Sequence, residues 1–191
     1  MFIMYKFDDY DCISDDLLER IINMLPDNRK LKAHHYINSD DKISCAVSYL
    51  MLVYILKNHF EICNPQICYN NLGKPYLIDH PEINFNISHC RLGCVCAVSD
   101  KKIGVDIQDI RAISKDVIEK VCHENEKRLI RKSNNADREF AKIWTMKESY
   151  LKMIGIGIVS DLNEIDTTIF SDNISFYDCE KYFIAVTIQE E

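Results

Sequence analysis

The stretch that decides the fold class covers residues 83–107 and reads INFNISHCRLGCVCAVSDKKIGVDI. Apolar and polar residues alternate at its start, which is the pattern of a half-buried β-strand. Two further apolar runs, 94–98 and 103–107, are separated by the polar turn 99–102. These segments predict a three-stranded meander in the middle of the chain.

Helical periodicity flanks this stretch on both sides. Ser14, Ser39 and Ser114 each precede apolar residues at helical spacing and can cap a helix. A longer helix is predicted over about 136–154, with a strand at the N-terminus and further strands within 163–188. Helices and strands therefore occur in both parts of the chain without strict alternation, which predicts an α+β fold.

The composition limits the class of protein. The chain has 191 residues, 47% of them hydrophobic and 28% charged, the balance of an ordinary globular protein. Its net charge of −7 argues against broad nucleic-acid binding, so a phosphate ligand would need local cations or a metal. The apolar run 49–56 is too short to span a bilayer, which predicts no membrane association. Nine cysteines, an odd number without a preceding secretory segment, favour a reducing cytoplasm.

Charged residues interrupt the apolar face of the helix predicted over 136–154. Lys147 projects from the middle of the apolar arc, Glu148 lies at its margin, and Lys152 follows one turn later. A charge that faces a core is costly unless it is paired, hydrated or bound to something. The alternative is that Lys147 reaches solvent along the surface and that Glu148 and Lys152 form an ordinary i,i+4 pair.

An acid interrupts the strand predicted at 103–107. Alternation places Gly104, Asp106 and Gln108 on one face of that strand, although aspartate is disfavoured there. A carboxylate and an amide on one face can both supply oxygen ligands to a metal. The alternative is an acid that is simply exposed or hydrogen-bonded.

Ser88 and His89 end the first strand of the meander. Neighbouring side chains on a strand point to opposite faces, and no G-x-S-x-G motif occurs, so a Ser/His hydrolase is disfavoured. Anion binding and capping of the turn both remain open. A zinc site formed by His89, Cys90, Cys94 and Cys96 is conceivable, but the C-x₂-C spacing of common structural sites is absent.

Four motifs in a fixed order carry a resemblance to a known family. They are Gly73-Lys74-Pro75, the strand 85–89, Gly104-Val105-Asp106 and the W-x-x-K-E-S-x-x-K block at 144–152. Together they resemble the 4′-phosphopantetheinyl transferase superfamily, in its surfactin-synthetase-activating (Sfp-like) form. The resemblance implies two similar α+β halves, 1–100 and 101–191, related by a pseudo-two-fold axis, with the active site in the cleft between them. It also implies a monomer.

The resemblance further implies a role for each motif residue. It assigns the metal ligands to Asp106, Glu148 and Gln108. It assigns coenzyme A binding to Lys74, Pro75, Ser88, His89, Lys147 and Lys152, with the two lysines of the long helix at the pyrophosphate. It assigns the catalytic roles to Glu148, Lys152 and Lys147, with Glu148 as the general base.

The implied reaction is a Mg²⁺-dependent transfer of the 4′-phosphopantetheine arm. Coenzyme A is the co-substrate, a serine of an acyl or peptidyl carrier protein is the acceptor, and 3′,5′-bisphosphoadenosine is the product. The pathway, whether fatty-acid, polyketide or nonribosomal-peptide biosynthesis, stays open.

The sequence departs from the family pattern in three places. Gln108 stands where many relatives have an acid, and Cys90 replaces a usual serine. The basic residues Arg29, Lys30 and Lys32 are out of register, so the contacts to adenine are left unassigned. Two other functions stay open: a catalytically silent module that binds coenzyme A or carrier protein, favoured by Gln108, and a metal-dependent pyrophosphate hydrolase.

Overall fold

The structure is a computed structural model, and it describes residues 1–157, 161–170 and 173–189. Part of the predicted 163–188 segment therefore lies outside the described residues. The helices are α1 (Asp15–Asn23), α2 (Asp27–His35), α3 (Ser39–Phe60), α4 (Lys115–Val121), α5 (Glu124–Lys132) and α6 (Ala136–Ile154). The strands are β1 (Phe2–Phe7), β2 (Ile67–Tyr69), β3 (Pro75–Leu77), β4 (Asn84–Cys90), β5 (Gly93–Ser99), β6 (Ile103–Asp109), β7 (Ile174–Asp178) and β8 (Tyr182–Ile188).

Two three-stranded antiparallel sheets share one topology. The first has the order β1-β5-β4 and the second the order β6-β8-β7. In each, the last strand along the chain is central, and it pairs with the first strand on one side and the preceding strand on the other. The long helices α3 and α6 occupy equivalent places between the first and second strands. The predicted α+β class is confirmed, and the boundary after residue 100 stays a prediction.

An apolar cluster joins the two sheets. It combines Val95 and Ala97 of β5 with residues of β6 and β8, all of them buried. The opposite face of β5 packs against α3, and α6 covers β6 and β8. The layers are therefore helices, sheet, sheet and helices.

The helix α3 is the most apolar of the long helices. By length and composition alone it could cross a membrane, and half of its apolar window is buried inside the protein. Residues such as Leu52, Ile55 and Leu56 are fully buried against the first sheet. This burial gives α3 the environment of a core helix, as its apolar circumference predicts.

The predicted meander is wrong in its third strand. β4 and β5 form a hairpin, but β6 pairs with β8, so the polar turn after β5 carries the chain into the second sheet. The contact of β6 with β4 is made by a side chain instead, because Asn86 Oδ1 accepts a hydrogen bond from the Val105 amide at 2.9 Å. Alternation within each strand shows which face is buried, but it does not show which strand is the neighbour.

Candidate active site

Two buried carboxylate oxygens have no hydrogen-bond partner among the described residues. They are Oδ2 of Asp106 on β6 and Oε1 of Glu148 on α6, each unpartnered within the described part of the chain. Buried polar atoms of a folded protein are normally paired, so two unpaired anionic oxygens indicate a missing cation or ligand. The negative charge of Asp106 acts on Glu148, so the two carboxylates share one electrostatic environment.

The other oxygen of Asp106 is already occupied. Oδ1 accepts hydrogen bonds from Lys152 Nζ at 2.6 Å and from Ser88 Oγ at 2.7 Å. Lys152 Nζ also donates to Ser88 Oγ at 2.8 Å. Asp106, Ser88 and Lys152 therefore form one network that joins β6, β4 and α6. It explains how an aspartate is tolerated inside a buried strand.

Glu148 resists ionisation in this environment. Burial raises the pKa of its carboxyl most strongly, the negative charge of Asp106 raises the pKa further, and the ammonium of Lys152 lowers it. A cation between the two carboxylates would relieve both unfavourable effects.

Gly104 allows α6 to lie directly on β6. A side chain at this position would overlap the Ser149 carbonyl oxygen and the Met153 amide nitrogen, and it would come within 2.9 Å of the Lys152 carbonyl carbon. This close approach brings Lys152 of α6 to Asp106, which lies two residues after Gly104 on the strand. The two residues of the G-x-D motif are thus linked: Gly104 lets α6 approach β6, and Asp106 binds the lysine that this approach brings near.

Gln108 follows Asp106 on the same face of β6. Its Nε2 donates to the carbonyl oxygen of Asp109 at 3.3 Å and to Asp109 Oδ1 at 3.2 Å. In the described ranges, no three His, Cys, Asp or Glu side chains converge on one point. A third protein ligand to a cation at Asp106 and Glu148 would have to come from another kind of oxygen donor, such as an amide, and the role of Gln108 as a ligand stays a prediction.

The contact of Lys147 with pyrophosphate stays a prediction, and the structure places this lysine in the interior of the protein. Its side chain is 1% exposed, and its Nζ forms an ion pair with the fully buried Glu126 at 2.8 Å. The same ammonium donates to three backbone carbonyls, those of Val121, Leu162 and Ile165. The sequence prediction missed Glu126 because it lies on α5, and no helix was predicted there.

Lys74 also differs from the prediction that its ammonium contacts coenzyme A. Its Nζ donates to the carbonyl oxygens of Lys152 at 2.6 Å and Met153 at 2.8 Å, at the end of α6. Cations stabilise the C-terminus of a helix in this way. Lys74 therefore fixes the last turn of α6, and the neighbouring Gly73 and Pro75 line a separate pocket.

That pocket lies between α2, α3 and the first sheet and has a volume of about 250 Å³. Its wall contains Arg29, Lys32 and the half-exposed His89. Arg29 Nη2 donates to the Cys45 carbonyl at 3.0 Å, while its buried Nε has no partner within the described ranges. Burial lowers the pKa of His89, and the negative charge of Asp41 opposes this effect.

Arg29, Lys30 and Lys32 are out of register with the family pattern, and their contacts with adenine are unassigned; the structure places them on α2, a helix that was not predicted. The turn of this helix places Arg29 and Lys32, three residues apart, on one face toward the pocket. Cys94 and Cys96, considered above as zinc ligands, are instead buried, and burial raises the pKa of both thiols.

Comparison with known proteins gives this geometry a family. A sequence model of the 4′-phosphopantetheinyl transferase superfamily matches residues 102–190. The 4′-phosphopantetheinyl transferase gsp of Aneurinibacillus migulanus is 31% identical over 176 residues, and the match covers 84% of this chain and 73% of that protein. The chain belongs to the 4′-phosphopantetheinyl transferase superfamily.

Other members of the superfamily match less closely. The 4′-phosphopantetheinyl transferase Sfp of Bacillus subtilis (strain 168) is 23% identical over 164 residues, covering 84% of this chain and 73% of that protein. The solved holo-[acyl-carrier-protein] synthase (AcpS) of Thermotoga maritima has a TM-score of 0.31 and 17% identity, over 46% of this chain and 61% of that one. That score is too low to carry an argument. The predicted resemblance to Sfp-like phosphopantetheinyl transferases is confirmed by the sequence matches.

Proposed function

We propose that this member of the superfamily transfers the 4′-phosphopantetheine arm of coenzyme A to a serine of an apo carrier protein, with the help of Mg²⁺. One observation carries the proposal: Asp106 and Glu148, whose charges interact, each keep a buried oxygen without a partner among the described residues, and the Lys152 ammonium lies 2.6 Å from the other oxygen of Asp106. Two carboxylates and a fixed cation form a site suited to a metal-bound pyrophosphate.

The donor atoms fit magnesium. Mg²⁺ is bound in proteins by one or two carboxylates, with substrate phosphates and water completing its shell. Asp106 and Glu148 would hold the ion, and the Gln108 amide is the candidate for a further ligand. When bound, the metal would neutralise charge on the pyrophosphate and on the transferred phosphoryl group.

The pocket lined by Arg29, Lys32 and His89 is proposed to hold the nucleotide end of coenzyme A. This end carries a 3′-phosphate, and the protein as a whole has a charge of −7. Local cations are therefore needed to offset the repulsion of a phosphate. The unpartnered Nε of Arg29 is a donor suited to a phosphate oxygen. Pro75 contributes an apolar surface to the same pocket.

The reaction would proceed by displacement at phosphorus. The carrier serine hydroxyl forms a new P–O bond to the phosphate that bears pantetheine, and the bond from that phosphorus to the bridging oxygen breaks. 3′,5′-Bisphosphoadenosine leaves with the bridging oxygen. Glu148 is the proposed acceptor of the serine proton, because a carboxylate that holds the ion through one oxygen, here Oε1, can accept a proton on the other.

Lys152, held by Ser88, would stabilise the negative charge that develops on the phosphates during this step. The Lys152 ammonium is held by Asp106 and Ser88, so its position is set before the substrate binds. A preorganised cation stabilises the transition state of phosphoryl transfer more than a mobile one. Ser88 keeps Lys152 in place, because its Oγ accepts from the ammonium while its hydroxyl donates to Asp106.

One experiment separates the candidate functions. The protein is incubated with coenzyme A, Mg²⁺ and an apo carrier protein, and the intact mass of the carrier is measured. A mass gain of one phosphopantetheine arm supports the proposal. Free bisphosphoadenosine without a gain would support a pyrophosphate hydrolase, and binding of coenzyme A without turnover would support a silent module.

The cellular setting is part of the proposal. All nine cysteines, each within the described ranges, are free thiols. Free thiols are usual in a reducing compartment, which supports a cytoplasmic location. We propose that the protein acts as a monomer, which light scattering of the purified protein would test.

A further inference from the structure

The buried ion pair between Lys147 and Glu126 has no part in the proposed chemistry. The two side chains are 1% and 0% exposed, and Lys147 Nζ lies 2.8 Å from Glu126 Oε2. A buried pair is retained at a desolvation cost that only good geometry and further hydrogen bonds offset. The further hydrogen bonds of Lys147 and Glu126 therefore indicate the role of the pair.

On one side of the pair, the lysine holds three pieces of backbone. Lys147 Nζ donates to the carbonyl oxygens of Val121 at 2.9 Å, Leu162 at 2.8 Å and Ile165 at 2.6 Å. Val121 is the last residue of α4, and the other two belong to the segment after α6. An ammonium group has three protons, so no donor is left for a substrate phosphate.

On the other side, the glutamate is equally occupied. Its Oε1 accepts hydrogen bonds from the Thr167 amide at 2.9 Å and from Thr167 Oγ1 at 2.7 Å. Its Oε2 also accepts from the His123 amide at 2.7 Å, which closes the N-terminal cap of α5. The pair thus joins α4, α5, α6 and residues 162–167.

A cavity of about 240 Å³ lies between α4, α6 and β6. One wall is formed by Ile113 and Val117 at the start of α4, and the opposite wall by Phe140 and Trp144 of α6. The floor reaches Gln108 on β6. The position of α4 relative to α6 therefore sets the shape of the space that borders Gln108, a residue of the candidate site.

We propose that Lys147 and Glu126 are positioning residues: they act as one unit that fixes α4, α5 and the 162–167 segment around the active-site part of α6. Neither residue contacts coenzyme A or the carrier serine. This inference rests on the proposed transfer reaction for its kinetic test, but the coupling of the two residues can be measured without it.

The experiment compares Lys147→Met, Glu126→Gln and the double variant in steady-state transfer, coenzyme A binding by calorimetry, and urea unfolding. Each single change is expected to lower kcat by about tenfold and to change the KM for coenzyme A by less than about twofold. The double variant should resemble the worse single variant, because residues that act as a unit are not additive. Lys152→Met is the contrasting change and should both lower kcat and raise the KM for coenzyme A.

A rise of about tenfold in the KM for coenzyme A with Lys147→Met, without a similar rise in Glu126→Gln, would overturn the proposal. Additive losses in the double variant would also overturn it. If the single variants do not fold, Thr167→Val removes the hydroxyl donor to Glu126 and leaves the proposed ligands of metal and coenzyme A unchanged. It should lower kcat about threefold at constant KM, and an unchanged kcat would contradict the proposal.

The outcome does not depend on the transfer reaction alone. If the wild-type chain transfers no arm, the proposed function fails, and the pair is then judged by calorimetry and unfolding. Non-additive unfolding with unchanged coenzyme A affinity would still support the positioning role. Additive unfolding, or weakened binding in Lys147→Met alone, would refute it.

Discussion

Lys152 Nζ lies 2.6 Å from Oδ1 of Asp106 and occupies that oxygen together with Ser88. Asp106 Oδ2 is left as the atom that can face a cation, because it has no partner in the described part of the chain. The lysine thus fixes which oxygen of Asp106 is available. The proposed metal site requires this arrangement, in which one oxygen of Asp106 binds Lys152 and Ser88 and the other is left for the cation.

Glu148→Gln tests the proposed base and metal ligand. The change removes the charge at nearly constant volume, and we expect transfer to fall by about a hundredfold or more. Burial and Asp106 raise the pKa of Glu148, so its ionised form is unfavourable in the metal-free fold. The variant should therefore unfold at the same or a higher urea concentration than wild type at neutral pH.

Glu139→Gln is the matched control, because it removes the same charge nearer the start of α6. Its transfer rate should stay close to that of wild type. Near wild-type turnover in Glu148→Gln, measured by intact mass, would show that the base and ligand are assigned wrongly.

Gly104→Ala tests the close approach of α6 to β6. The new methyl group would overlap backbone atoms of Ser149 and Met153, and backbone cannot move aside as a flexible side chain can. We expect a loss of about 1–3 kcal/mol or more in the free energy of unfolding, together with a loss of transfer. Urea unfolding gives the first quantity and intact mass the second.

Gly73→Ala is the control for Gly104→Ala, because it tests the cost of the backbone conformation without steric overlap. Gly73 has a φ of +80°, but a methyl group added there would meet nothing within 4 Å, so its substitution costs only the left-handed conformation. This cost is about 1 kcal/mol. A Gly104→Ala variant that is as stable as wild type would contradict the packing described here.

Lys74 makes the free energy of unfolding depend on pH. Burial, and to a smaller extent Lys102, lowers the pKa of Lys74 to about 8. Between pH 8 and the ordinary value of 10.5, the unfolded chain binds more protons at this site than the native one. Its contribution to the free energy of unfolding therefore rises with pH across this window and is constant below it.

Cysteines and tyrosines also titrate in this pH range. Comparing wild type with Lys74→Met at each pH separates the contribution of Lys74 to the free energy of unfolding from theirs. The difference in urea midpoint between the two proteins should change in favour of wild type as pH rises. A difference that stays constant from pH 7 to about 10.5 would show that the pKa of Lys74 is not lowered.

Arg29→Ala tests the proposed nucleotide pocket. With coenzyme A as substrate, we expect the KM to rise about tenfold, because a cation beside the 3′-phosphate is lost. With dephospho-coenzyme A, which lacks that phosphate, the KM should be the same in both proteins. Lys30→Ala is the control, since Lys30 lies on the same helix beside Asp27. Equal effects on both substrates would place the 3′-phosphate elsewhere.

The two carboxylates of the proposed metal site could be singled out from the sequence because the signal is local. Asp106 is an acid in a strand otherwise suited to burial, and Glu148 lies at the margin of an apolar helix face. Each is visible within one element. The structure adds that Ser88 and Lys152 meet on Asp106, a contact between elements that periodicity does not specify.

The lysines show where such a prediction fails. A lysine on an apolar helix face signals a partner but does not identify it, and for Lys147 the partner is Glu126 on a helix that the sequence did not predict. Lys74 similarly meets the end of α6, far away in the chain. Charge and spacing identify residues that need a partner, whereas tertiary packing decides whether that partner is protein or ligand.

The central claim is that one divalent cation lies between Asp106 and Glu148. The most direct test is a crystal structure of the protein with coenzyme A and Mn²⁺, with the anomalous signal of the metal recorded. We predict one strong peak about 2.1 Å from both Asp106 Oδ2 and Glu148 Oε1, beside the pyrophosphate. A crystal with well-ordered coenzyme A and no metal peak between these carboxylates, or a peak held by other residues, would contradict the account.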